Sequence, residues 1–86
     1  MRREETKAAE LKKFVEYIVK SLVEYPDDVL LAQRVREGDV YLELKVAPSD
    51  VGRVIGKNGS TINAIRTVAQ AMASSQNLRF HLNLIG

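Results

Sequence analysis

Between Pro48 and Ser74 a helical pattern is cut by two glycines three residues apart, and this interruption limits the available folds more than any other feature of the chain. Pro48-Ser49 closes a preceding strand-like run, and Ser49 or Asp50 can cap a short helix reaching to about Ile55. Gly56-Lys57-Asn58-Gly59 breaks that helix, and a second one starts at once, from Ser60 to about Ser74. The two glycines let the backbone turn sharply and leave no side chain to hold off a ligand. The N–H groups opening the second helix are expected to be unpaired at the positive end of its dipole, where a phosphate gains hydrogen bonds and charge stabilisation. Lys57 in the loop and Arg53, one helical turn earlier, add positive charge to the same spot.

The rest of the chain falls into place around this loop. From Glu4 to about Glu24, Leu11, Phe14, Val15, Ile18 and Leu22 follow helical spacing, with Lys12, Lys13, Glu16 and Lys20 on the other side. Pro26-Asp27-Asp28 ends that pattern. A run from Leu30 to Arg36 then leads through the turn sequence Glu37-Gly38-Asp39 into a second strand, giving a β-hairpin. In this strand Val40, Leu42, Leu44 and Val46 face one way, Tyr41, Glu43 and Lys45 the other. The helix after the loop carries an apolar stripe of Ile62, Ile65, Ala69 and Met72, widened by Ala64, Val68 and Ala71. Leu78, Phe80, Leu82 and Leu84 alternate with Arg79, His81 and Asn83 as a third strand. The expected fold is α+β, in the order α-β-β-α-α-β, a three-stranded sheet with the helices packed on one face.

Composition narrows the function. A chain of 86 residues has room for one domain, here 1–86, burying about 60 to 65% of the surface exposed on unfolding. There is no cysteine, and the single His81 has no second histidine to chelate with, so neither a disulfide framework nor a metal site is expected. The N-terminus is charged without an apolar stretch behind it, and the longest apolar run is Val29-Leu30-Leu31-Ala32. No signal peptide or membrane span is expected, and a cytoplasmic setting is the simplest reading. No Ser/His/Asp or Cys/His set is present, and Asp27-Asp28 beside Pro26 reads as a turn or helix start, so no enzyme and no cofactor is expected. The net charge is only +2, but Asp50 is the last acid in the chain. Arg53, Lys57, Arg66 and Arg79 follow it with nothing nearby in sequence to neutralise them, a basic half suited to an anionic partner.

Two familiar phosphate loops do not fit. A nucleotide-hydrolysing loop needs Gly-x-x-x-x-Gly-Lys-Ser/Thr, but only three residues separate Gly52 from Gly56, and Asn58 stands in place of the magnesium-binding hydroxyl. The dinucleotide pattern fails because the glycines run Gly-x-x-x-Gly-x-x-Gly after a helix, not a strand. Val54-Ile55-Gly56-Lys57-Asn58-Gly59 with Ile62 resembles instead the signature of a KH domain, and the element order resembles its type II arrangement. Within that class the chain is similar to the small stand-alone bacterial RNA-binding proteins of the KhpA type. The shared features are the Pro26-Asp27-Asp28 turn, the run Val46 to Gly59, and Ala64-Ile65-Arg66-Thr67-Val68. Ser60 follows the loop where a basic residue is common, and Asn63 stands where Lys is frequent; both lower the local positive field.

The resemblance implies that the loop clamps the backbone of about four nucleotides of single-stranded RNA, with the bases in an apolar groove alongside. By position, Val51, Val54, Ile55 and Ile62 line that groove, and the edge of the second strand, Leu44 to Ala47, supplies backbone groups to the bases. Each of these aliphatics can equally serve core packing. Ser60, beside the loop, is a further candidate RNA contact, and Arg66 is a candidate phosphate contact for which simple solvation is the alternative. Tyr41, His81 and Arg79, on the outward face of the sheet, are expected to be surface residues or to meet another protein. The resemblance further implies an RNA chaperone or post-transcriptional regulator, paired with a KhpB-type partner or as a homodimer, with effects on cell-envelope growth and cell shape. A protein-interaction module that keeps the shape with little RNA binding is the alternative.

Overall fold

In the computed structural model, which describes residues 3–85, β2 (Asp39–Lys45) is the spine of the molecule. Its inward side chains Val40, Leu42 and Leu44 are 1% exposed or less, as expected of a strand paired on both sides. β1 (Leu30–Arg36) runs antiparallel to it, with Leu30 opposite Lys45 and Arg36 opposite Asp39. Glu37 and Gly38, with φ of 50° and 84°, make the tight turn between them; two positive φ values give a turn whose twist matches the strands it joins. β3 (Arg79–Ile85) lies on the other side of β2 and parallel to it. A parallel neighbour requires a crossover, and α2 (Val51–Ile55) with α3 (Ser60–Ser74) supplies it.

α1 (Arg3–Leu22) packs against β1 and α3 against β3, on the same face of the sheet. The buried line of α1 is Ala8, Leu11, Val15 and Val19. Phe14 and Ile18 flank it, whereas Leu22, expected on the apolar stripe, is 39% exposed. On α3 the buried line is Ile62, Ile65, Ala69 and Ala73, with Met72 half-buried. Ala64, Val68 and Ala71, expected to widen the stripe, are exposed. Each helix covers a narrow strip of one sheet, so its apolar flank lacks a second layer to enter. The result is an open apolar cleft of about 400 Å³ between Ile18 and Leu22 of α1 and Ala64, Ile65 and Val68 of α3.

The expectation that Ser49 or Asp50 caps α2 is corrected. Asp50 stands at the cap position but makes no side-chain bond to its own helix. Its fully buried carboxylate accepts hydrogen bonds from the backbone N–H of Glu24 (2.9 Å) and Tyr25 (3.0 Å), in the chain leaving α1. A buried carboxylate needs donors, and the donors within reach belong to a distant segment. Asp50 thereby fixes the start of α2, and with it the loop, to the end of α1.

Candidate nucleic-acid interface

The loop is built from backbone conformations that few residues adopt. Gly56 has φ 75° and ψ 174°, a region open essentially to glycine alone, and Asn58 (φ 57°) and Gly59 (φ 77°) are left-handed. A Cβ on Gly56 would collide with Thr61 Oγ1 and lie 2.7 Å from its Cβ and 2.8 Å from its backbone nitrogen. The glycine is therefore required by close packing of the loop on the first turn of α3. Gly56 N–H donates to the Gly52 carbonyl (2.9 Å) and Gly59 N–H to the Gly56 carbonyl (3.2 Å), drawing the loop into a tight knuckle. Lys57 and Asn58 are exposed at its tip.

The first N–H groups of α3 are less open than expected, because Ser60 N–H donates to the Lys57 carbonyl. Among the described residues, however, no side chain caps α3. The exposed Ser60 lies immediately beyond the knuckle.

The expected basic half is also corrected, because folding brings acids from earlier in the chain. Arg79 meets Asp39 at 2.7 and 2.8 Å, and the Arg53 Nε lies 3.7 Å from Asp50. Arg79 first, and His81 next, hold the Asp39 carboxyl well below its ordinary range, and Asp39 in turn raises Arg79. The Arg53 side chain is still 59% exposed. Lys57 has no acid partner among the described residues. Arg66 is engaged in another way: its Nε (3.3 Å) and Nη2 (3.0 Å) donate to the Leu82 carbonyl, and its Nη1 donates to Asn63 Oδ1 (3.1 Å).

Of the two roles open to the aliphatic residues, the core takes Val54 of α2 (0% exposed) and Ile62 of α3 (6%). Ile55, 37% exposed, and the half-buried Val51 keep surface beside it. The expected strand edge at Leu44 to Ala47 is corrected in part. Leu44 and Lys45 pair with β1 on one side and β3 on the other, so no edge is open there, and Val46 and Ala47, both buried, lie beyond the end of β2. The free edge next to α3 belongs to β3. There Gln70 Oε1 accepts the Phe80 N–H (3.0 Å) and Arg66 takes the Leu82 carbonyl, so two α3 side chains one turn apart occupy that edge. Neither contact follows from the sequence pattern, whose one signal for them is the four-residue spacing of Arg66 and Gln70 on the polar side of α3.

A glycine-bounded knuckle joining two helices that pack on a three-stranded mixed sheet, in the order α-β-β-α-α-β, defines a KH domain of the type II arrangement. More narrowly, the chain belongs to the KhpA/KhpB KH-domain family, whose model matches residues 12–84. It is 47% identical to the RNA-binding protein KhpA of Clostridium acetobutylicum over 75 residues, 87% of this chain and all of that protein. It is 45% identical to the protein of the same name from Clostridium perfringens over the same extents. Against that of Chlamydia trachomatis it is 41% identical, over 87% of this chain and 96% of the relative. No solved structure matches it.

Proposed function

We propose that the chain acts as one KH domain that binds single-stranded RNA by its sugar-phosphate backbone at Gly56-Lys57-Asn58-Gly59. The observation that carries this reading is the knuckle itself: positive φ at Gly56, Asn58 and Gly59, with Lys57 and Asn58 exposed at the tip above an uncapped α3. The glycines admit a phosphate close to the main chain, Lys57 supplies charge, and Asn58 and Ser60 supply neutral hydrogen bonds. Arg53 strengthens the field in spite of Asp50. Ile55 and Val51 offer an apolar wall to the first bases. Arg66 shapes the groove by holding β3 and reaches a phosphate with whichever donors it frees. The relatives' name, RNA-binding protein KhpA, supports the same assignment.

About four nucleotides of contact carry little selectivity, and joining two such sites raises effective concentration and gains avidity. We therefore assign the chain a role within an assembly, with a second copy or a KhpB-type RNA-binding protein, as an RNA chaperone or post-transcriptional regulator. The open cleft bordered by Leu22 and Val68 supports such an association. A link to cell-envelope growth and shape rests on the family resemblance. The deciding experiment is RNA titration of Lys57→Asp/Asn58→Asp beside its melting curve. Two carboxylates at the tip repel phosphate while disturbing no buried contact, so binding is lost and melting is unchanged. Wild-type affinity in this variant would remove the loop from the mechanism.

A further inference from the structure

The open face of the sheet carries a row of three residues in direct register: Arg34 on β1, Tyr41 on β2 and His81 on β3. The Tyr41 and His81 rings are stacked, with centroids 4.7 Å apart and planes inclined by 16°. From the strand on the other side, the Arg34 guanidinium stands 5.8 Å from the Tyr41 ring centre. Beside the row, Arg36 is opposite Asp39, whose carboxylate is taken by Arg79 (2.7 and 2.8 Å) and His81 (2.9 Å). The other acid on this face, Glu43, lies between Ala32 and Asn83. Among the described residues, then, neither Arg34 nor Arg36 is in an ion pair, and with Val35 and Tyr41 they line a hollow of about 620 Å³.

The row also has a near end. His81 borders a second hollow, of about 540 Å³, which Arg66, Thr67, Gln70, Phe80 and Leu82 line along the β3 edge. Arg66 meets Leu82 and Gln70 meets Phe80, so α3 runs antiparallel to β3. The start of α3, six residues or about 9 Å before Arg66, therefore lies toward the Ile85 end of the strand, and the loop lies there with it. Loop, edge hollow, His81–Tyr41 stack and arginine hollow follow one another in that order. An aromatic ring flanked by uncompensated guanidinium groups is the chemistry that holds single-stranded nucleic acid, base on ring and phosphate on cation.

We propose that the open sheet face is a second RNA-contact site, continuous with the loop. A strand clamped at Gly56–Gly59 passes along the β3 edge and over His81. It places a further base on the face of Tyr41 that Arg34 covers, the guanidinium swinging aside, and phosphates on Arg34 and Arg36. This rests on the loop reading above for where the strand begins, but the sheet contacts are separate residues and are tested separately.

The test is fluorescence anisotropy with labelled single-stranded RNAs of about four and about ten nucleotides, the shorter matching the loop footprint, at several salt concentrations. The proteins are wild type, Arg34→Ala/Arg36→Ala and Lys57→Asp/Asn58→Asp. The double alanine variant is expected to bind the short RNA like wild type and the long RNA about tenfold or more weakly, with a log–log salt slope shallower by about 1.4, two phosphates' worth. Unchanged binding of the long RNA overturns the proposal. So does an equal loss on both lengths, or a loss accompanied by a change in sedimentation, which marks the face as a protein contact. Should the alanine variant melt early, Arg34→Gln/Arg36→Gln keeps the side-chain stems, and the same comparison decides. If the aspartate variant still binds the short RNA, the loop reading fails, while the long-RNA comparison continues to judge the sheet.

Discussion

Gly52 and Gly56 lie one helical turn apart, and replacing each by alanine moves stability in opposite directions. Gly52 sits in α2 without a positive φ, and a Cβ there meets nothing within 4 Å. Alanine at this position reduces the entropy of the unfolded chain and raises helix propensity, gaining about 0.5 to 1 kcal/mol. Gly56 is held at φ 75° and ψ 174°, which costs another residue about 1 to 3 kcal/mol, and its new methyl would lie 2.8 Å from the Thr61 nitrogen, adding about 1 to 3 kcal/mol of overpacking. The sum, about 2 to 6 kcal/mol, is a large part of the stability of a small domain. For a chain of this size it corresponds to a fall of roughly 10 °C or more in melting temperature, against a rise of roughly 3 to 6 °C for Gly52→Ala. Adding Thr61→Ala to Gly56→Ala removes the hydroxyl collision but leaves the contacts 2.7 and 2.8 Å away, so it restores only part of the loss. Thermal and urea melts of the four proteins measure all of this. If Gly56→Ala melts within a few degrees of wild type, the argument from conformation and close packing is wrong.

Asp50→Ala leaves the Glu24 and Tyr25 N–H groups without their acceptor and is expected to lower stability by about 2 to 4 kcal/mol, read from urea midpoints at constant m. Arg66→Met keeps the stem but loses the fork on Leu82, for about 1 kcal/mol in the same assay. The Asp39 carboxyl is held below its ordinary value of 3.8 by Arg79 and then His81, so its contribution is complete above that value and is lost as pH falls through the lowered one. Acid titration of stability should show wild type losing ground on Asp39→Asn as the pH falls below about 4. With about two or three phosphates neutralised at the loop, binding of a short RNA should be micromolar or weaker with a salt slope between about −1.4 and −2.1; nanomolar affinity of a monomer at physiological salt contradicts that count.

How legible this molecule was depended on how far apart the interacting parts lie in the chain. The hairpin was open to reading because alternation and the Glu37-Gly38 turn are local, and the knuckle because glycine spacing is local too. Helical periodicity shows that α1 and α3 have apolar faces, but the width of each face is set by what covers it; hence Val19 and Ala73 are buried and Val68 is not. The pairing of Asp39 with Arg79 spans 40 residues, and no composition profile registers it. Asp50 carries the residue type of a helix cap and serves another segment. Alternation marks Leu44 as half of a sheet without saying whether its strand is central or at an edge, and that choice decides whether its backbone can meet a base.

The parallel pairing of β2 with β3 also has a consequence for the order of events at synthesis. Every residue of β2 waits for a partner 40 positions later, from Asp39 with Arg79 to Lys45 with Ile85. During translation the hairpin and α1 emerge first, with the apolar side of β2 still bare. The knuckle and α3 appear next, without the strand on which Arg66 and Gln70 will close. Local structure can flicker earlier, but closing a loop of this length has an entropic cost that only the finished sheet offsets. Cooperative folding therefore begins when β3 clears the ribosome, and until then Val40, Leu42 and Leu44 are exposed to whatever binds nascent chains.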